Sequence, residues 1–280
     1  MDDARNRVTV AQAMRDAAAR LSGTSDTARL DAELLMAEAL GMTRSDMLLT
    51  GGDRPSPAGF DALIERRLAR EPIAYILGRQ EFYGRAFLVT PDTLIPRDDS
   101  EVLIDAAREL VPPQCRTLDL GTGTGALLLT RLAECGGEGI GTDASGAALE
   151  IARRNASALG LTEVAAFRAA DWTQDGWAEG LGWFELILCN PPYVETAADL
   201  DPDVSDYEPH AALFAGEDGL DDYRCIIPQL GNLMNANGVA IFEIGPTQAG
   251  AVETLAASMG FRTRMFRDLA DRPRAVAMFR

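Results

Sequence analysis

The sequence contains no lysine: all 26 basic residues are arginine, against 43 acidic ones, for a formal net charge of −17. That absence excludes a lysine Schiff base and a Walker-A phosphate loop, both of which need the ammonium group. Histidine occurs once, as His210, so His-based metal sites are out of reach, and a Ser-His-Asp triad would have to use that residue without any nucleophile-elbow motif. Cys115, Cys135, Cys189 and Cys225 show no Cys-x-x-Cys spacing and read as free thiols of a reducing compartment. No metal is expected. Positive charge is nowhere concentrated beyond pairs such as Arg66-Arg67 and Arg153-Arg154. An enzyme of nucleic acid ordinarily carries a basic footprint, because phosphate contacts supply most of its affinity. Apolar runs stop short of the ~18 residues of a membrane span. The opening Met1-Asp2-Asp3-Ala4-Arg5 has neither a signal-peptide core nor the acid-poor character of a transit segment, so a cytoplasmic protein is expected.

What is present is ordinary globular composition, 47% hydrophobic and 25% charged over 280 residues, enough for one large and one small domain. Residues 1–72 read as a small helical domain. Val10, Ala13, Met14, Ala17, Ala18 and Leu21 share one helical face. Leu30, Leu34, Ala37 and Leu40 share another, with Gly41 placed to end that helix. Ser56-Pro57 opens a third helix with the stripe Phe60, Leu63, Ile64 and Leu68. Residues 73–97 alternate and are aromatic, a hairpin-like connector turning at Gly84; its Phe82-Tyr83 is either exposed for a partner or tucked under the next domain.

From residue 98 to 280 helix and strand alternate, which predicts an α/β domain with a mostly parallel sheet covered on both faces. Strands are read at Thr117–Leu120, Glu138–Asp143, Val164–Ala170, Phe184–Cys189, Val239–Ile244, Phe261–Phe266 and Ala275–Phe279. Helices are read around Val102–Leu110 and at Gly146–Leu159, Asp221–Met234 and Thr247–Met259. The last strands, joined by short links, suggest an antiparallel hairpin. The acidic stretch Glu195–Glu208 reads as a flap or solvated loop.

Four features fall at successive strand ends, where such sheets bind ligands. Asp119-Leu120-Gly121-Thr122-Gly123-Thr124-Gly125 places three glycines at alternate positions, so that the backbone turns tightly and a ligand approaches without a Cβ in the way. The spacing is Gly-x-Gly-x-Gly, not that of dinucleotide binders. Asp143, about 20 residues on, can accept from ribose hydroxyls. Asp171-Trp172 sets an acceptor for an amine beside a large flat ring. Asn190-Pro191-Pro192-Tyr193 delivers an amide side chain into a turn that two prolines stiffen, followed by an aromatic ring. That last site suits a planar NH2 group, with two acceptors for its hydrogens and a ring to lie against. Singly, each feature has a plainer explanation: a turn, a helix cap, a core aromatic, a Pro-rich loop. Their common order along the sheet favours one site.

The chain resembles the protein-(glutamine) methyltransferases that modify peptide chain release factors, a branch of the class I S-adenosylmethionine-dependent methyltransferases. The resemblance rests on Glu71-Pro72-Ile73-Ala74-Tyr75-Ile76-Leu77-Gly78 through Glu81-Phe82-Tyr83-Gly84, on Leu94-Ile95-Pro96-Arg97, and on the glycine loop with Asn-Pro-Pro-Tyr. It extends over nearly the whole chain. After Ile-Pro-Arg the family usually has Pro-Asp-Thr-Glu, where this chain has Asp98-Asp99-Ser100-Glu101. The resemblance implies a Rossmann-like, seven-stranded sheet with an antiparallel C-terminal hairpin and a helical N-terminal domain that docks the substrate. It implies S-adenosyl-L-methionine as cofactor, contacted by Asp119, Gly121, Thr122, Gly123, Thr124, Gly125, Asp143, Asp171, Trp172 and Asn190. It also implies that the substrate is the glutamine of the Gly-Gly-Gln motif in a bacterial-type release factor, held by Asn190, Pro191, Pro192 and Tyr193. A monomer is expected. Two rivals stand beside this reading: an adenine amino-methyltransferase of DNA or RNA, which would share Asn-Pro-Pro-Tyr, and a methyltransferase-like scaffold without turnover.

Overall fold

The computed structural model describes residues 8–280, which divide into two compact units: one runs to Gly78 and includes Asp201–Tyr207, the other comprises Arg79–Leu200 and Glu208–Arg280. In the first unit lie α1 (Val10–Leu21), α2 (Ala28–Leu40), α3 (Arg44–Thr50), α4 (Phe60–Leu68) and α5 (Ile73–Leu77). There follow β1 (Arg79–Phe82), β2 (Arg85–Leu88), α6 (Glu101–Leu110), β3 (Arg116–Leu120), α7 (Ala126–Cys135), β4 (Glu138–Asp143), α8 (Gly146–Ala158), β5 (Ala165–Ala169) and β6 (Phe184–Cys189). After α9 (Pro202–Ser205), which belongs to the first unit, come α10 (Asp221–Ile226), α11 (Leu230–Leu233), β7 (Met234–Glu243), α12 (Ala249–Ser258), β8 (Arg262–Arg267) and β9 (Pro273–Phe279).

Thr9 caps α1, its hydroxyl oxygen accepting the Gln12 N–H at 3.3 Å, and Val10, Ala17 and Leu21 turn inward along the expected stripe. The stripe on α2 is different. Leu30 is exposed, while Asp31, Ala32, Glu33, Leu35, Met36 and Ala37 are buried, because α1, α3, α4 and α5 all pack on this helix and leave it no single inner face. Gly41 ends α2 in the left-handed conformation, as its position suggested. α4 starts at Phe60, not at Pro57, because Pro57 to Gly59 form a turn in which the Pro57 carbonyl accepts the Phe60 N–H. Residues 73–77, which alternate like a strand, are helical: Pro72 precedes the first turn and Gly78 closes the last at a φ of 69°.

The acidic stretch Glu195–Glu208 is less solvated than its composition suggests. Asp203 on α9 accepts from Arg67 at 2.6 Å, and the same guanidinium, almost fully buried, pairs with Asp31 at 2.7 Å. Arg70 pairs with Asp201, and the Tyr207 hydroxyl donates to the Ala69 carbonyl. A buried arginine needs such partners, and these acids supply them.

The second unit is built on a seven-stranded sheet of order β5-β4-β3-β6-β7-β9-β8, parallel except for β9, which runs antiparallel to both β7 and β8. Both faces of the central strands are buried, so β6 reads as one apolar run: Ile187 and Cys189 enter one core cluster, Leu186 and Leu188 the other. The stretch Asp221–Met234 is not one helix. Pro228 lacks the N–H that an unbroken helix needs, and α10 passes through a 3-10 turn into α11. The hairpin of β1 and β2 belongs here, with Phe82 and Phe87 buried edge to face at 6.2 Å. Tyr83 at its turn is half-buried; its N–H donates to Glu101 and its hydroxyl to Asp105. No helix among the described residues is long and apolar enough to cross a membrane.

Candidate active site

Strand register brings the ends of β3, β4, β6 and β7 to one edge. Leu120 pairs with Thr142 on one side and Cys189 on the other, and Cys189 pairs with Phe242. The next residues along these strands are Gly121, Asp143, Asn190 and Glu243. Gly121, Gly123 and Gly125 all take left-handed φ values, 69°, 54° and 82°, which the alternate spacing of glycines permits. A Cβ on Gly121 would meet the Trp172 ring at 3.0 Å and one on Gly125 would meet Leu129 at 2.9 Å, whereas one on Gly123 would meet no protein atom within 4 Å. The loop is therefore packed from below and open at its middle.

Two acids hold this loop. Asp119 is buried, and its Oδ2 accepts the Thr122 hydroxyl at 2.5 Å. Burial pushes its carboxyl up to about 7, the Thr122 bond opposing the shift. Its Oδ1 has no hydrogen-bond partner in the structure, which leaves an acceptor in the floor of the loop. Asp143 accepts the Gly123 N–H through Oδ2 and the Ser145 N–H through Oδ1, each at 2.9 Å, and burial raises its carboxyl above the ordinary value. An open glycine loop over an unsatisfied acid fits a small cationic ligand with a polar sugar.

Asp171 and Trp172 part company. The Asp171 carboxylate is exposed to its own turn, accepting the Thr173 N–H and hydroxyl, so it is engaged locally. Trp172 instead lies with its six-membered ring against Gly121, and its indole N–H donates to Asp222 at 2.6 Å. Thr124 serves through its backbone: its carbonyl accepts from Asn155 Nδ2 at 2.9 Å. Asn155 also exchanges two hydrogen bonds with the Leu88 backbone, joining α8, the edge of β2 and the glycine loop. The Leu94–Arg97 segment is anchored by Glu208, whose carboxylate accepts the Ile95 N–H at 3.1 Å and pairs with Arg97.

Asn190 is half-buried, and its Nδ2 donates to the Ser100 hydroxyl oxygen at 3.3 Å. Ser100 Oγ donates to Glu243 Oε2 at 2.5 Å, and the Tyr193 hydroxyl donates to Glu243 Oε1 at 3.2 Å. Pro191 and Pro192 are buried between them in sequence. Burial pushes the Glu243 carboxyl up to about 7, with the Ser100 bond and the Arg274 charge opposing; burial and the Glu243 charge together raise the Tyr193 phenol. Ser100, Asn155, Glu243 and Asp222 escape the motif reading. The one signal for Glu243 is an acid within the otherwise apolar run Val239–Ile244, and the one for Ser100 is its place in the segment that follows Ile95-Pro96-Arg97.

Comparison with known proteins agrees with this layout. Residues 12–78 match the model of the PrmC N-terminal domain, and residues 112–241 that of a methyltransferase domain. The hMettl16 catalytic domain, solved in complex with the MAT2A 3'UTR hairpin 1, shares the fold with a TM-score of 0.58 at 16% identity over 81% of this chain and 83% of that one. A methyltransferase from Pyrococcus furiosus does so with a TM-score of 0.53 at 16% identity, over 77% of this chain and 96% of that one. A release factor glutamine methyltransferase of Bradyrhizobium diazoefficiens is 39% identical across 96% of this chain and 94% of its own length. One of Cereibacter sphaeroides is 41% identical across 95% and 97%, and one of Moorella thermoacetica 37% across 98% and 99%. With a class I methyltransferase sheet, its glycine loop and this likeness over nearly the full length of both chains, the chain belongs to the release factor glutamine methyltransferase family.

Proposed function

We propose that this S-adenosylmethionine-dependent enzyme methylates the side-chain amide nitrogen of the glutamine in the Gly-Gly-Gln motif of a peptide chain release factor, with Asn190 and Pro191 as its acceptors for that nitrogen. The observation that carries the reading is the position of Asn190. It leaves β6 at the sheet edge where the glycine loop leaves β3 and Asp143 closes β4.

When bound, S-adenosylmethionine supplies a methyl already activated on a sulfonium, so the chain's own task is positioning. Gly121, Thr122, Gly123, Thr124 and Gly125 would form the backbone cradle with Asp119 beneath it, Asp143 would accept from the ribose hydroxyls, and Trp172 would offer its ring to the base. Asp171 contributes through the turn it closes. A glutamine amide nitrogen is a poor nucleophile, because its lone pair is delocalised into the carbonyl. The Asn190 side-chain oxygen and the Pro191 carbonyl take its two hydrogens, fixing its direction and favouring the tetrahedral geometry that develops. Alignment of this kind is worth several kcal/mol, on the order of 7–11 at best. Pro192 stiffens the slot and the Tyr193 ring packs on the amide plane. The nitrogen loses its proton after transfer, so no residue is assigned as general base.

The helical N-terminal unit docks the release factor, since a one-residue slot cannot select a protein. A protein substrate of the translation apparatus places the enzyme in the cytoplasm, acting as a monomer without a nucleic-acid surface of its own. Cofactor-dependent methylation of purified release factor, with DNA and RNA as controls, tests the reading. Methyl transfer to the factor alone supports it; transfer to adenine, or to none of the three, overturns it.

A further inference from the structure

A hydroxyl stands between a buried carboxylate and the Asn190 amide. Ser100 Oγ donates to Glu243 Oε2 at 2.5 Å, and Asn190 Nδ2 donates to Ser100 Oγ at 3.3 Å. Ser100 and Glu243 are 4% and 1% exposed, so water does not compete for these bonds. Three separate segments meet here: the turn Asp98–Ser100, the end of β6 and the end of β7. Glu243 is itself held. The Tyr193 hydroxyl donates to its other carboxylate oxygen, and the Tyr223 hydroxyl donates to its backbone carbonyl at 2.7 Å.

Hydroxyls carry one proton, and a carboxylate is an acceptor only once ionised, the form Glu243 takes above about pH 7. In that form the Ser100 proton is committed to Glu243, and its oxygen can meet Asn190 only as an acceptor. An amide can satisfy that acceptor with its NH2 end and not with its carbonyl. Which end of Asn190 turns towards Ser100 is thus decided by the carboxylate two bonds away, and the carbonyl end is left to face away from it. Reversal of the amide would set carbonyl against lone pair at Ser100 and present an NH2 to a substrate NH2.

We propose that Ser100 and Glu243 are positioning residues that fix the flip of Asn190, so that Oδ1 and not Nδ2 meets the target nitrogen. The inference rests on the reading of Asn190 as an acceptor for that nitrogen. It also gives a physical reason for a hydroxyl at position 100. Serine and threonine both relay the bond; alanine does not.

The test uses the full chain and purified release factor at saturating S-adenosylmethionine, at a pH well above the value of about 7 at which Glu243 ionises, measuring kcat, KM and cofactor affinity for Ser100→Ala, Ser100→Thr, Glu243→Gln and Asn190→Ala, with melting temperatures recorded. Glutamine at 243 can donate to Ser100, freeing the hydroxyl proton to meet the Asn190 carbonyl, so both flips become allowed. Ser100→Ala and Glu243→Gln should each lower kcat by at least about twofold, the loss when both flips are populated equally, with cofactor affinity unchanged. Ser100→Thr should restore kcat, and Ser100→Ala should add nothing in the Asn190→Ala background, since residues that act through one another are not additive. Full turnover in Glu243→Gln, or an equal loss from Ser100→Ala with and without Asn190, overturns the proposal while leaving Asn190 in its role. Full turnover in Asn190→Ala alone overturns the parent reading and this one with it.

Discussion

Asp143 Oδ2 accepts the backbone N–H of Gly123 at 2.9 Å, so the acid that closes β4 holds the loop that leaves β3. The carboxylate has lone pairs beyond those given to Gly123 and Ser145, and these are the ones a ribose would use. Asp143→Ala should therefore weaken S-adenosylmethionine binding by about 1–3 kcal/mol, the scale for hydrogen bonds to a charged group. Calorimetry on the folded variant checks this, and unchanged affinity would place the ribose elsewhere.

The last two glycines of the loop should behave differently. At Gly123 a Cβ meets no protein atom, so alanine costs only the left-handed strain, roughly 1–2 kcal/mol. Its main effect should be on cofactor affinity, because the added methyl would project into the open middle of the proposed cofactor site. At Gly125 the Cβ would crowd Leu129 and Ala152, so alanine should lower the melting temperature more than at Gly123. Equal melting temperatures with equal affinities would show that the loop does not face a ligand.

Asn155 makes three hydrogen bonds from a nearly sealed position, two with Leu88 and one with Thr124. Replacing it by alanine strands buried backbone groups, and about 2–3 kcal/mol of stability should be lost. Denaturant unfolding measures it. A loss below about 0.5 kcal/mol, the range of ordinary surface substitutions, would mean that water replaces the amide.

Burial holds the Glu243 carboxyl up at about 7, among Ser100, Arg274, Tyr193 and Asp99. A folded-state pKa raised above the unfolded one means that the native protein binds the proton more tightly. The stability this confers is complete below the ordinary value of 4.5 and is lost as pH rises through about 7. Glu243→Gln stays neutral throughout. Relative to wild type it should gain stability between pH 5 and pH 8, on the order of 3 kcal/mol. Unfolding curves at the two pH values decide the point; a variant that loses ground at pH 8 contradicts it. Gain of stability with loss of turnover in the same variant would separate the positioning role from a structural one.

The parts of the fold that were legible in the sequence are those where local chemistry acts alone. Glycines at alternate positions after Asp119, the apolar run into Asn190 and the acid at Asp143 each announce a strand end, and the strands lie close to where alternation put them, except that β7 begins at Met234 and not at Val239. What was not legible depends on partners distant in sequence. Leu30 looks like core until α2 is seen to be packed on several sides, and Asp203 looks solvated until Arg67 is seen beneath it. Asp171 shows an acceptor, but Thr173 two residues on claims it. Ser100 and Glu243 are separated by 143 positions, and only the register of β6 with β7 brings Asn190 to them. No local pattern encodes that meeting.

Asn190→Ala tests the account most directly. It would remove one of the two proposed acceptors and leave the strand, the prolines and the glycine loop in place, so its effect should fall on the chemical step. Single-turnover methylation of release factor, with cofactor saturating and the melting temperature confirmed, should slow by a factor on the order of 100 or more, as for deleting one oriented polar contact in a transition state. A rate within about threefold of wild type, ~0.7 kcal/mol, would show that Asn190 only closes a turn and that the methyl acceptor is held by something else.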